Sequence, residues 1–167
     1  MNDKLGIREN LHATLQNKRN RGGTMSYIRD GRAPIPESEM TSKVMSAIRA
    51  KNTKPELDFR KALREVGIPG YRLHWKKAPG RPDIAYPRRK VAIFVHGCFW
   101  HRCPHCNLPL PKSHTDWWEK KLERNRLRDE EKVRALEAAG WIVLVFWEHE
   151  IKADAFGCAK RVKAILD

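Results

Sequence analysis

The sequence predicts an α/β domain in which helices flank a central mixed sheet. Two short apolar runs, at residues 91–95 and 141–147, are typical of strands that are covered on both faces. A charged segment with helical spacing, residues 115–139, lies between them. The chain has 167 residues, enough for one domain that buries its core without disulfides. This alternation of strand and helix patterns favours the α/β class.

The first 39 residues differ in composition from the rest of the chain. They mix Asn, Arg, Gly and Pro and show little sustained apolar periodicity. We therefore predict a flexible, polar extension over residues 1–39 and a folded domain over residues 40–167.

Two helices are predicted at the start of the folded domain. Apolar residues spaced three and four apart near position 45 indicate the first. Thr53 and Glu56 form a capping-box pattern, which predicts a second helix that begins at this point. The second helix should run to about Val66, because Gly67 is typical of a helix end.

Strand and helix signals continue to the C-terminus. Three extended segments are predicted at residues 70–75, 82–86 and 90–96, and the last two are joined as a hairpin by Pro87-Arg88-Arg89. A long helix, a second buried strand and a closing helix are then predicted at residues 115–139, 141–147 and 154–166. The predicted order is two helices, three strands, a helix, a strand and a helix.

The charge of the chain indicates an anionic partner. Its net charge is +14, and residues 1–40 hold seven basic and five acidic groups, so most of the excess belongs to the folded part. A basic surface of this kind attracts the phosphate backbone of nucleic acid, although a generic soluble basic surface is the alternative. No apolar run approaches the ~20 residues that span a bilayer, and no signal peptide is recognisable. We therefore expect a cytoplasmic, nucleoid-associated protein without a membrane partner.

The loop after the first apolar run has the spacing of a metal site. Cys98-x4-Cys103-x2-Cys106 supplies three thiolates, and zinc usually takes four nitrogen or sulfur ligands in a tetrahedron. His105 lies inside the tight Cys-Pro-His-Cys turn and should point outward, so we favour His149 as the fourth ligand. Such a closed site is structural. Three reduced thiols without a metal are the alternative.

Asp83 is a candidate ligand for a catalytic cation. The predicted hairpin places it opposite Phe94 and Val95, beside the start of the metal loop. Magnesium is held by one or two carboxylates, backbone carbonyls and waters, so Asp83 and the Val95 carbonyl are suitable donors. A simple strand-edge turn is the other interpretation of Pro-Asp at this position.

Polar residues on two helices are further candidates. The inward stripe of the long helix is Trp118, Leu122, Asn125, Asp129, Val133 and Leu136. Asn125 and Asp129 interrupt this apolar stripe, and buried polar groups need partners. A metal-bound water, a histidine or a nearby arginine would serve. The capping-box role suffices to explain Glu56, and a side chain that reaches the predicted site is the alternative.

Together these residues resemble the very-short-patch repair (Vsr) mismatch endonucleases, zinc-containing members of the PD-(D/E)xK restriction-endonuclease-like superfamily. The resemblance runs from about Met40 to Ile151 and follows one order along the chain. Its motifs are residues 45–53 (MSAIRAKNT), Gly80-Arg81-Pro82-Asp83, His96-Gly97-Cys98-Phe99-Trp100-His101, Trp118 with Asn125 and Asp129, and Gly140-Trp141 leading to Trp147-Glu148-His149.

The resemblance implies a restriction-endonuclease-like fold and roles for individual residues. Asp83 would be the essential magnesium ligand, with the Val95 carbonyl also contacting a metal. His101 would orient or deprotonate the attacking water, with His96 near the scissile phosphate. Glu56 and Asp129 would act through water or histidine. The DNA-contacting residues implied are Phe99, Trp100, Trp118, Asn125 and Arg81, whose aromatic members would wedge beside a T:G mismatch, whereas Trp117, Trp141 and Trp147 are expected in the core.

The function expected from this resemblance is a magnesium-dependent, zinc-stabilised nickase acting at a T:G mismatch, which starts repair of deaminated 5-methylcytosine. A restriction or phage-defence nickase with the same fold is the second interpretation, and a non-catalytic zinc DNA-binding module is the third. The expected partner is double-stranded DNA, with mismatch-repair proteins as candidate protein partners. A monomer suffices, because nicking one strand needs one active site.

Overall fold

A computed structural model describes residues 38–47 and 51–167. Helix α1 spans Glu39–Ala47 and is described by itself. Residues 1–37, which make up nearly all of the predicted extension, lie outside the described residues, as does Ile48 of the first apolar series. The boundary between extension and domain therefore stays a prediction.

Residues 51–167 form a four-stranded mixed sheet with flanking helices. The elements are α2 (Lys54–Glu65), β1 (Arg72–Leu73), β2 (Ile84–Tyr86), β3 (Val91–His96), α3 (Thr115–Ala138), β4 (Ile142–Trp147) and α4 (Glu148–Leu166). The strand order is β1-β2-β3-β4, with antiparallel pairing from β1 to β3 and parallel pairing of β3 with β4. This confirms the predicted α/β class, the mixed sheet and the order of elements.

Helix α2 begins and ends as its sequence predicts. The Thr53 side chain accepts a hydrogen bond from the Glu56 amide, and its hydroxyl donates one of 3.0 Å to the Glu56 carboxylate. At the other end Gly67 has φ +85°, a conformation that residues with a Cβ rarely adopt. This lets the Gly67 and Ile68 amides reach the Arg64 and Leu63 carbonyls, both at 3.0 Å.

The hairpin of β2 and β3 places Asp83 where the pattern predicts it. Ile84 pairs with Ile93, so Asp83 lies at the level of Phe94. The Val95 amide donates a hydrogen bond of 2.9 Å to Asp83 Oδ2. A 3-10 turn, Pro87–Arg89, makes the connection.

Strand β3 is covered on both faces, as its apolar sequence predicts. Val91 and Ile93 pack in one core cluster with α2 and α4, while Ala92 and Phe94 pack in another with Leu136 of α3. Successive side chains of a strand point to opposite faces, so one apolar run supplies both cores. This central position makes the C-terminal end of β3 a rigid base for the loop that follows.

Strand β4 is less buried than predicted. Only Phe146 is buried, and Ile142 is 50% exposed. The prediction of a second fully buried strand is therefore wrong. The reason is the strand order: β4 is the last strand of the sheet formed by the described residues and pairs with β3 alone.

Helix α4 starts earlier than predicted but has a break at the predicted position. It begins at Glu148, and Asp154 has non-helical backbone angles inside it. Asp154 Oδ1 accepts a hydrogen bond of 2.7 Å from the Gly157 amide, the pattern of a helix N-cap. The additional first turn carries His149 directly after β4. Within the described residues, no helix is both long and apolar enough to span a bilayer.

Candidate active site

Three cysteines of the loop after β3 and one histidine of α4 form a compact cluster. The ligand atoms of Cys98, Cys103, Cys106 and His149 all lie within 4.8 Å of one another. His149 Nδ1 is 3.3 Å from Cys98 Sγ and 3.6 Å from Cys103 Sγ. His105 is exposed, as its place in the turn predicts. The structure thus brings together the four residues predicted as zinc ligands.

The spacing of this cluster fits a tetrahedral zinc ion. Zinc–sulfur bonds of about 2.3 Å and zinc–nitrogen bonds of about 2.0 Å place the two donors roughly 3.5 Å apart. Burial and the neighbouring Cys98 and Cys103 thiols raise the pKa of Cys106 to about 12. A metal ion that binds here therefore displaces protons from the thiols.

Glu148 supports the cluster from α4. Its Oε2 accepts a hydrogen bond of 3.3 Å from the Cys98 amide, and its Oε1 contacts Lys152 Nζ at 2.5 Å. Partners of this kind orient metal ligands. The sequence places Glu148 next to His149, but its contact with Cys98, 50 residues away, depends on the parallel pairing of β3 and β4.

Asp83 lies at the edge of a second group of polar residues, which also contains His101, Asp129 and Lys132. Burial raises the pKa of the Asp83 carboxyl, and the nearby Glu56 carboxylate raises it further. The hydrogen bond from the Val95 amide lowers this pKa but does not offset the two effects. A carboxyl whose charge is disfavoured in this way gains from a nearby cation. The donor set of Asp83 and backbone oxygen is also the type that magnesium accepts.

His74 faces Asp83 and was not recognised in the sequence. Its amide donates a hydrogen bond of 3.0 Å to the Asp83 carbonyl, and its Nδ1 lies 3.7 Å from Asp83 Oδ1. Its φ of 45° is unusual for a residue with a side chain. No sequence pattern marks this contact: His74 meets Asp83 because the antiparallel register that pairs Leu73 with Ile84 continues to His74 and Asp83.

His101 and Asp129 form a hydrogen-bonded pair. His101 Nδ1 is 2.5 Å from Asp129 Oδ2, and Lys132 Nζ is 2.9 Å from Asp129 Oδ1. Burial opposes ionisation of Asp129, but the hydrogen bonds from His101 and Lys132 outweigh it and lower its pKa. The expected histidine partner for Asp129 is thus present, and Lys132 is an additional one that sequence patterns did not indicate.

His96 stacks on His101. The two rings are 4.1 Å apart and only 4° from parallel. His96 is 8% exposed, and burial together with the neighbouring His101 imidazole lowers its pKa to about 3. His96 is therefore a neutral imidazole near pH 7, able to donate one hydrogen bond and accept another.

Glu56 is buried and its oxygens are engaged by nearby groups on and just before its own helix. They accept hydrogen bonds from the Asn52 amide at 3.0 Å and from Arg60 at 2.9 Å, besides the Thr53 hydroxyl. The capping interpretation accounts for these contacts. Its charge still acts on Asp83, whose pKa it raises, and a catalytic role for Glu56 stays a prediction.

Four aromatic residues, two of them in the loop after β3 and two on α3, form a cluster near the cysteines. Phe99 and Trp100 are half-buried, and both contact the Trp118 ring, with centroids 5.4 and 5.8 Å away. Trp118 is itself 8% exposed, so it supports the two loop residues from below. Trp117 contacts Trp118 edge-on at 4.8 Å.

Asn125 contacts this aromatic cluster, and Arg81 lies two residues before Asp83 in the chain. Asn125 Nδ2 donates a hydrogen bond of 3.1 Å to the Trp100 carbonyl, which ties the loop to α3. Arg81 is exposed and follows Gly80, where a Cβ would lie 2.6 Å from that of Lys132. The glycine therefore permits the close approach of the Asp83 segment to α3.

Comparison with known proteins finds relatives that are all named as DNA endonucleases or nicking enzymes. A family model described as DNA mismatch endonuclease Vsr matches residues 35–108. The chain is 46% identical over 125 residues to the type II nicking enzyme V.XorIIP of Xanthomonas oryzae pv. oryzae, covering 74% of this chain and 90% of that protein. It is 41% identical over 142 residues to the type II nicking enzyme V.NaeI of Lentzea aerocolonigenes, covering 82% and 81%. It is 35% identical over 117 residues to the DNA mismatch endonuclease Vsr of Escherichia coli, covering 70% and 74%.

Proposed function

This chain belongs to the Vsr family of DNA endonucleases, and we propose that it nicks one strand of duplex DNA beside a T:G mismatch. The family model and the relatives support a DNA-nicking endonuclease whose partner is DNA. The family implies a restriction-endonuclease-like fold, with which the mixed four-stranded sheet agrees. The mismatch, the metals and the role of each residue are our proposal.

One observation carries the catalytic assignment: the His101–Asp129 pair lies in the same group of polar residues as Asp83. Lys132, which contacts Asp129, is close enough for its charge to act on Asp83 as well as on His96. Phosphodiester hydrolysis requires a general base and a divalent cation. Here His101, held by the Asp129 carboxylate, is the base, and the Asp83 carboxylate is suited to bind the cation.

We assign Asp83 and the Val95 carbonyl as ligands of a magnesium ion. The nuclease family implies a divalent metal. When bound, magnesium neutralises phosphate charge and lowers the pKa of the attacking water. The Val95 amide holds Asp83 Oδ2, and His74 faces Oδ1. These two contacts restrict rotation of the carboxylate.

His101 takes the proton of the attacking water in this proposal. Its Nδ1 is engaged by Asp129, so Nε2 is the nitrogen left to accept a proton. As the water oxygen bonds to phosphorus and the bond to the leaving sugar oxygen breaks, Asp129 stabilises the imidazolium that forms. Neutral His96 is suited to donate a hydrogen bond to the phosphate. Glu56 acts indirectly, through its charge on Asp83.

The Cys98, Cys103, Cys106 and His149 cluster is assigned to structural zinc. The donor set and the sulfur–nitrogen distances of 3.3 and 3.6 Å support this. The three cysteines lie in the loop that carries His101, and His149 lies on α4, so a metal held by all four would fix this loop against α4 and hold His101 in place.

The mismatch assignment rests on the aromatic cluster and on one relative. Phe99 and Trp100 are half-buried, and Trp118 supports them. Apolar side chains of this kind enter base steps, and a mismatched step is easier to unstack than a paired one. The Escherichia coli relative at 35% identity is named a DNA mismatch endonuclease.

The decisive experiment compares nicking of T:G duplexes with fully paired duplexes in several sequence contexts, with magnesium present. The proposal expects nicking of one strand of the T:G duplex and at least a roughly tenfold lower rate on the paired one, because a wedge into paired bases costs more free energy. Equal rates on both duplexes would contradict the mismatch assignment.

A restriction or phage-defence nickase is the second candidate. The names of the relatives at 46% and 41% identity, which are called type II nicking enzymes, favour it. It predicts sequence-dependent nicking of paired duplexes, so the same assay separates the two functions. A non-catalytic binding module gains no support from these relatives.

A further inference from the structure

One face of α3 combines an indole with three cations. Trp117, Lys120, Arg124 and Arg128 follow one another at steps of three, four and four residues, so they share one side of the helix. An α-helix rises ~1.5 Å per residue, which spaces the three cations about 6 Å apart. We call these four residues the α3 basic face.

Trp117 does not belong to the core, contrary to the prediction for it. It is half-buried and absent from both core clusters of the described residues. Its ring, together with Lys120, Glu123 and Arg124, lines a surface hollow of about 490 Å³. Lys121 Nζ lies 5.1 Å from the centre of the ring. A partly exposed aromatic ring with cations beside it is the chemistry that recognises nucleotides.

Lys120 and Arg124 of this face are available to bind an external anion. In residues 51–167 no carboxylate oxygen lies within 4.0 Å of a side-chain nitrogen of Lys120 or Arg124, although Arg124 Nε donates to the Lys120 carbonyl at 3.2 Å. Glu123 borders the hollow, but Arg126 makes two hydrogen bonds to it, of 2.9 and 2.7 Å. The acidic neighbour is thus already neutralised.

The α3 basic face is connected to the aromatic cluster. Arg128 donates a hydrogen bond of 2.6 Å to Asn125 Oδ1, and Asn125 in turn donates to the Trp100 carbonyl. At the other end Trp117 contacts Trp118, which supports Phe99 and Trp100. A DNA strand displaced at the cluster would therefore meet this face next.

We propose that the α3 basic face is a second DNA-binding subsite, in which the cations follow the phosphates of one strand and Trp117 stacks on an unpaired base. The inference rests on the proposed nicking function, because a wedge at a mismatch supplies such a base. Stacking on an aromatic ring tolerates any base, so the subsite strengthens binding of unstacked DNA without reading its sequence.

The test uses the full chain with Trp117→Ala and Trp117→Phe, and measures binding by fluorescence anisotropy without added magnesium. The DNA probes are a T:G duplex, a duplex with one bulged nucleotide and a fully paired duplex. Trp117→Ala should weaken binding of the first two by roughly 5- to 100-fold and of the paired duplex much less, with partial recovery in Trp117→Phe. Equal effects on all three probes, or none, would overturn the stacking role.

The salt dependence of DNA binding tests the role of Lys120 and Arg124. Lys120→Gln with Arg124→Gln should weaken binding of all three probes and reduce the slope of log affinity against log salt by about one for each phosphate that the variant no longer binds. An unchanged slope would overturn the proposed binding of phosphates by this face.

Phe156 provides a matched control. It is 44% exposed, and Lys160 lies over its ring at 4.7 Å, so it has similar chemistry on α4. Phe156→Ala should leave binding of every probe unchanged, and a loss equal to that of Trp117→Ala would contradict the inference. Nicking by the parent chain is measured in parallel: if it nicks DNA normally but Trp117→Ala binds as the parent does, the subsite fails and the proposed function stands.

Discussion

The loop after β3 contributes to two clusters that are held in different ways. In the cysteine cluster, Cys98 and Cys103 are 5% and 2% exposed, and the His149 side chain of the same cluster contacts both thiols. In the cluster proposed as catalytic, the His101 side chain is 25% exposed and Asp129 contacts both His101 and Lys132. The first cluster consists of metal-ligand side chains packed against one another, whereas in the second the Asp129 carboxylate already has Lys132 as its counter-charge.

This difference separates stability from chemistry. A buried group of thiols without a metal holds its loop weakly, so metal removal should act on folding. The groups proposed as catalytic are oriented by hydrogen bonds that exist without a metal, so substitution of Asp83 or His101 should act mainly on the rate, and only Asp129, which is ion-paired, should also contribute to stability. Four substitutions test this division, in order of decreasing expected effect.

Asp83→Ala should have the largest effect on the rate. Removal of the proposed magnesium ligand takes away several kcal/mol of transition-state stabilisation, so nicking of a T:G duplex should fall on the order of 10³- to 10⁴-fold. Zinc content, measured by atomic absorption, and binding of DNA should both persist. Ordinary metal-dependent nicking by this variant would remove Asp83 from the catalytic assignment.

His101→Ala should lower the rate by about 10²- to 10⁴-fold, the usual contribution of a general base. His105→Ala is its matched control, because His105 lies in the same loop but is exposed and belongs to neither cluster. Single-turnover nicking of both variants is the measurement. If the two variants lose activity to the same degree, the effect is a disturbance of the loop and His101 is not the base.

Cys98→Ser should act on folding. Loss of one thiolate should release zinc and lower the free energy of unfolding by roughly 3 kcal/mol or more, since binding of a structural metal contributes directly to folding. Thermal unfolding and zinc content measure this. Cys158→Ala is the control, because Cys158 is buried in the core apart from the cluster and its loss should leave the zinc content unchanged. A parent protein that binds no zinc would contradict the structural site.

Asp129→Asn should change the acid dependence of stability. The lowered pKa of Asp129 means that its ion pairs stabilise the folded state above the unfolded pKa of about 3.9, and that this contribution is lost as the pH falls further. The variant should be about 1–2 kcal/mol less stable at pH 7, with a smaller difference at pH 3. Urea unfolding at both pH values measures it. An equal deficit at both would show that Asp129 acts through packing.

Much of the fold and site was accessible from local patterns. The capping box at Thr53, the glycine end of α2, the three cysteines of the predicted zinc site and the position of Asp83 opposite Phe94 all follow from spacing along the chain. Such features need only a few neighbouring residues, or one hairpin register, to be determined. His149 joined the predicted ligands because it follows β4 directly.

Other parts of the site depended on contacts between distant segments. His74 and Lys132 meet Asp83 and Asp129 because the sheet register and the close approach at Gly80 bring them there. The exposure of Trp117 and of Ile142 likewise followed from which elements pack beside them and which do not. No periodicity along one segment contains that information.

By itself, the sequence determined the order of the elements, the thiols of the predicted zinc site and the carboxylate and imidazole groups proposed for catalysis, because helix caps, strand runs and ligand spacing are short-range properties. The tertiary structure alone decided which of those groups meet. The two clusters share one loop, and only the parallel placement of β4 beside β3 and the packing of α3 against the Asp83 segment direct His149 to the thiols and Asp129 to His101. The physical reason is that side-chain pairing across tens of residues is set by packing of the core, which joins segments that the chain itself keeps apart.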